Sequence, residues 1–209
     1  KEINDFSVGG NTWHRSRTLP WQDRGARLLP TSMFLDYKTE INARRAKFNQ
    51  MVSDFLINYP SLVQTASNYL GGLFDPTDYP SVDEVASKFG FRLTFSPVPS
   101  SGDFRLDVAS QELEEIKSTY DAAFNDRLGE ATRDAWDRLH STLTGMSDKL
   151  TDLDGDEKKR YHDTLVTNAQ SLCQLLTHLN ITKDPKLEQA RRDLESALLG
   201  VDMDDIKDS

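Results

Sequence analysis

The residues able to do chemistry are few and scattered. Four histidines (His14, His140, His162, His178) and one cysteine, Cys173, are spread over 209 residues. His14, His162 and His178 have no carboxylate, cysteine or serine at the spacing of a metal site or a catalytic triad. Cys173 follows Leu172 on what should be the inward side of a helix, which suits a small core residue better than a nucleophile. No GxxxxGK(S/T) loop, GxGxxG turn or CxxC pair is present. ATP hydrolysis, dinucleotide chemistry and zinc binding therefore have no motif behind them, and no cofactor is implied. The stretch DLDGDEKKRYHD at 152–163 places Asp152, Asp154, Asp156 and Asp163 at the first, third, fifth and twelfth positions of a calcium loop. The sixth position, where the bend needs glycine, is Glu157, and the twelfth is Asp rather than the bidentate Glu. A turn between helices, with Asp156 as N-cap, is the better reading, and no metal ligands are assigned.

A denser segment lies near the start. WHRSRTLPWQDRGARLLP at 13–30 combines Trp13 and Trp21 with Arg15, Arg17, Arg24 and Arg27. Arginine interleaved with tryptophan can stack bases and neutralise phosphates. The same residue types anchor protein–protein interfaces, so the segment could equally lie in a groove of its own chain or of a neighbour. A formal net charge of −9 and a pI near 4.9 argue against nucleic acid, leaving the two protein contacts open. Charge is also unevenly spread. Residues 1–50 hold nine basic and five acidic side chains, residues 51–209 sixteen and twenty-nine. A basic head and an acidic body favour head-to-tail contact between copies, so a homo-oligomer is expected.

RDAWDRLH at 133–140 puts Arg133 and His140 two helical turns apart on one face. The pair resembles the motif of the all-helical HEPN ribonucleases, which act on RNA with a histidine and an arginine across a dimer cleft. Both residues lie roughly opposite the apolar stripe of their helix, where solvated charge is expected anyway, so nuclease chemistry is a remote reading. Trp136, between them, joins the candidate contact residues.

The elements that must position these residues are mostly helical. Residues 1–30, broken by Gly9, Gly10, Pro20 and Pro30, read as an extended arm. Phe34, Tyr37, Ile41, Phe48, Met51 and Phe55 mark a helix from Thr31, expected to end at Pro60. A second helix follows at 61–73, then a short one capped by Ser81 and Glu84. Alternation in FRLTF and DFRLDV predicts a β-hairpin over about 91–108. From Ser110 the sequence is helical: about forty residues to Leu150, a return helix from Glu157 to Leu179, and a third from Pro185 to Leu199. The fold class is thus mainly α, a long-helix bundle or helical hairpin with one small antiparallel β-hairpin and an N-terminal arm. Its natural divisions are 1–30, 31–108 and 110–209.

No apolar run approaches the roughly 20 residues of a membrane span, and KEINDFSVGG lacks the layout of a secretory signal. A single cysteine suits a reducing, cytoplasmic setting. Three stretches, LPWQDRGARLLP, YPSLVQTASNYLGGLFDPTDYPS and FSPVPSSGDFRL, resemble a group of tailed-phage and prophage proteins known only as a domain of unknown function. The likeness spans nearly the whole chain. It implies a phage protein acting in the host cytoplasm, with a AAA+ ATPase as a partner suggested by family context alone, and it brings no catalytic residues. The expectation is a non-enzymatic protein that self-assembles or binds a protein partner. The alternative is a factor that binds or processes single-stranded nucleic acid in phage replication or recombination.

Overall fold

The computed structural model describes residues 1–21, 25–98, 110–151 and 156–199. The protein is mainly α-helical with one small antiparallel hairpin, and it divides into two compact units. The first unit comprises Lys1–His14 and Leu35–Val98, the second Arg15–Phe34 and Pro99–Ser209. The N-terminal thirty residues are therefore shared between units rather than forming an arm of their own.

Helix α1 spans Glu2–Ser16, which corrects the extended reading of the opening residues. Ile3, Phe6, Gly10, Trp13 and His14 are the half-buried positions, and they recur at helical steps. Gly9 and Gly10 weaken that pattern in the sequence, since glycine costs a helix about 0.5–1 kcal/mol relative to alanine, yet the helix runs through both and is held on α2 near its C-terminal end, where Trp13 and His14 meet Tyr37. Helix α2 runs unbroken from Phe34 to Leu70, and Pro60 lies inside it. Proline was expected to end the helix because it removes one main-chain hydrogen bond and crowds the carbonyl four residues back. Here Tyr59, beside it, is held by a 3.0 Å bond from its hydroxyl to the Pro80 carbonyl, and Phe55 packs on both Tyr59 and Phe89. Helix α3 (Val82–Ser87) has the expected capping box, with Ser81 and Glu84 bonded reciprocally.

No strand forms over 91–98, where the hairpin was expected to begin; its second half, 104–108, lies outside the described residues. The alternation has another use. Phe89 meets Phe55, Phe91 meets Phe48 and Phe95 meets Tyr37, at ring separations of 5.8, 5.9 and 6.2 Å. The partners climb α2 in reverse order, so the segment runs antiparallel along the helix with one apolar face against it. An extended chain on a helix needs the same period-two pattern as a strand in a sheet.

In the second unit the small sheet is made by β1 (Leu19–Pro20) and β2 (Arg27–Leu28), with Leu19 opposite Leu28. Three helices support it: α4 (Ser110–Thr151), α5 (Asp156–Leu179) and α6 (Pro185–Leu199). Their inner positions recur at helical steps. Ala131, Ala135 and Leu139 of α4 pack with Ala169, Cys173, Leu176 and Leu179 of α5 and with Leu187, Leu194 and Leu198 of α6. Leu19 and Met33 enter the same core from the N-terminal segment. The small residues of α4 admit close approach of its neighbours. Asp184 caps α6, accepting from the Lys186 and Leu187 amides, and it also accepts the Trp136 indole N–H at 3.0 Å.

One arginine ties the N-terminal segment to α4. Arg138 donates to the carbonyls of Ser16 (2.7 Å), Arg15 (3.0 Å) and Thr18 (2.7 Å), and it pairs with Asp134 one turn earlier. Arg27 donates to the same Thr18 carbonyl and to its hydroxyl. The last carbonyls of α1 have no partner within that helix, so these guanidinium groups complete its C-terminus. Arg138→Met should cost about 1–3 kcal/mol in urea unfolding, because partly buried carbonyls lose a charged donor. Arg138→Lys should recover only part of this, since an ammonium cannot reproduce the planar fork.

Glu188 accepts hydrogen bonds from Arg191 and Arg192, which hold its carboxyl at about 2, below the ordinary value of 4.5. Its stabilising effect is complete above about pH 4.5 and is lost as pH falls towards 2. Solvent screening at this half-exposed carboxylate keeps the effect smaller than the shift alone implies. Glu188→Gln should therefore flatten the dependence of stability on pH between about 4.5 and 2, read by circular dichroism during an acid titration.

Candidate functional site

The first unit contains a cleft of about 730 Å³ between α1, α2 and the segment after α3. Tyr37, 4% exposed, organises one end of it. Its ring stacks on Trp13 at 5.0 Å, meets Phe95 edge-on, and its hydroxyl lies 2.7 Å from His14 Nδ1. Burial raises the Tyr37 phenol above its ordinary value, so the hydroxyl keeps its proton at neutral pH. Arg44 lies over Trp13, 4.6 Å from the ring, in a cation–π contact. Arg44 Nε is 2.8 Å from a Glu40 carboxylate oxygen. Its N–H is not aimed well enough for a hydrogen bond, so the contact is an ion pair only.

Phe48, Phe55, Phe89 and Phe91 form the apolar wall of the cleft. Lys1, Arg44, Lys88 and Arg92 stand around it, and among the described residues no carboxylate lines it. In a chain with 34 acidic and 25 basic side chains, that is a marked local reversal of charge. The capping box at Ser81 places the start of α3, and so sets where Lys88 and Arg92 emerge.

The structure distributes the residues singled out in the sequence. Trp13 is half-buried against Tyr37 in the first unit. Trp21, 8% exposed, belongs to the second, where it meets Phe124 edge-on at 5.4 Å. Arg27 is engaged with Thr18, and burial lowers its pKa from the ordinary arginine value. Arg15 is exposed, and Arg17 is half-buried with an Nε that makes no hydrogen bond. Arg24 lies outside the described residues, as do residues 152–155 of the acidic turn. Trp136 is half-buried and committed to Asp184. Arg133 and His140 are both exposed on α4, separated by about 10 Å of helix rise. Cys173 is buried; burial, then the Glu195 carboxylate, push its thiol up, away from the reactive thiolate. Among the described residues no group of three or more His, Cys, Asp or Glu is placed to hold a metal ion. No described helix is long and apolar enough to cross a membrane.

Two features escaped the sequence reading. One is the cleft, whose basic residues come from separate elements and have no shared spacing. The other is the end of α2. Leu62 and Tyr69 lie two turns apart on α2, Leu73 lies in the short turn that follows it, and the three are 54%, 89% and 86% exposed. They belong to residues 55–74, which contain no charged side chain at all. The uncharged run was a usable signal; an apolar stripe alone reads as core. Compared with family models, curated proteins and solved structures, the chain matches none.

Tyr37→Phe removes the hydroxyl facing His14 while keeping the ring stack. It should cost about 0.5–1.5 kcal/mol in chemical unfolding, measured for this variant against the parent chain.

Proposed function

We propose that this is a non-enzymatic interaction protein that assembles with copies of itself through the uncharged end of α2. The supporting observation is the exposed stripe of Leu62, Tyr69 and Leu73 within a run that lacks charge. A net charge of −9 makes two copies repel, and the repulsion is least across a surface that carries none. Tyrosine and leucine on such a surface regain on association the apolar burial that the monomer leaves undone. A two-fold contact is the simplest geometry, since the same stripe serves both copies. The resemblance to tailed-phage proteins supports the host cytoplasm as the setting, with a AAA+ ATPase as a candidate protein partner.

Light scattering on the full chain tests this. The parent chain should give a discrete oligomer, and the double variant Tyr69→Asp, Leu73→Asp should give a monomer with unchanged helicity. Arg15→Ala with Arg17→Ala should leave the mass as it is. A monomeric parent chain, or an oligomer indifferent to the α2 changes, removes this reading.

A further inference from the structure

We propose that the cleft of the first unit binds an anionic medium-chain amphiphile, a straight alkyl body ending in a carboxylate or a phosphate. Its volume, about 730 Å³, lies within the range of small-molecule sites, which are mostly apolar with a few placed polar groups. Ile41, Phe48, Phe55 and Phe91 supply the apolar wall, while Lys88 and Arg92 are exposed cations at its edge. The absence of any lining carboxylate among the described residues selects an anion over a cation or a neutral ligand. The ring geometry selects the body. Phe48 and Phe91 are inclined at 53°, Phe55 and Phe89 at 72°. Tilted rings wrap an alkyl chain, whereas a nucleobase wants a parallel face to stack on.

Gly10 lines the cleft from within α1, and a Cβ added there meets nothing within 4 Å, as at the other described glycines. A leucine at this position would extend from that Cβ into the open space and narrow the cleft.

Calorimetric titration of the full chain with octanoate, decanoate and dodecanoate, each below its micellar concentration, tests the proposal. Decanoate should bind, and each added methylene should tighten binding by about twofold, the square root of the roughly fourfold expected for complete burial of the group. Decyl phosphate in parallel identifies the preferred headgroup, and stronger binding of either supports the site. Lys88→Gln with Arg92→Gln should weaken decanoate at least fivefold. Gly10→Leu should weaken decanoate at least fivefold while melting no lower than the parent chain, which separates a narrowed cleft from a misfolded unit. Absence of heat with all four anions overturns the proposal. So does decanoate binding unchanged by Gly10→Leu, or tighter binding of adenosine monophosphate than of decanoate.

Discussion

A helix that ends inside a protein leaves its last carbonyls facing an environment poorer in donors than water. At the end of α1 this is resolved by Arg138, which gathers the carbonyls of Arg15, Ser16 and Thr18 on one guanidinium while Asp134 balances its charge. The next residues, Thr18 and Leu19, are 1% and 0% exposed, so the chain goes directly from that clamp into the core. Leu19 there meets the small-residue face of α4, and Leu28 opposite it closes the hairpin. The charged anchor and the apolar insertion depend on each other: Arg138 satisfies the carbonyls that the insertion of Leu19 takes out of water.

The two units are held by different means. The second is aliphatic, built from leucine and alanine at helical steps on α4, α5 and α6. The first is aromatic, with ring pairs from Trp13–Tyr37 through Phe55–Phe89 and few fully buried aliphatic side chains. The cleft described above is lined by several of these rings, among them Phe48, Phe55, Phe89 and Phe91.

Much of this was legible in the sequence. The helices α4, α5 and α6, the burial of Cys173 and the Ser81–Glu84 box followed from spacing alone, because each is set by near neighbours on one helix. The failures have a common origin. At Gly9–Gly10 and at Pro60 local preference pointed against a helix, yet the chain is helical through both, with Tyr59 beside Pro60 anchored to the Pro80 carbonyl. At Phe91–Phe95 the period was read correctly and its partner was not, since alternation does not distinguish a strand from an extended segment on a helix. The cleft was invisible because Arg44, Lys88 and Arg92 come together only when α2 and the segment after α3 are packed. Trp13 and Trp21, adjacent in the sequence reading, serve different units.

The assignment of residues 15–34 to the second unit, between two pieces of the first, bears on how the chain is made. Leu19 and Met33 leave the ribosome early, yet the helices that cover them end near residue 198. At roughly 5–20 residues per second, that is a delay of about 10–30 s. For that interval a segment with tryptophan and leucine waits uncovered while the first unit assembles on either side of it. The chain is exposed to chaperones and to premature association during synthesis, and neither unit can be released whole by a single proteolytic cut.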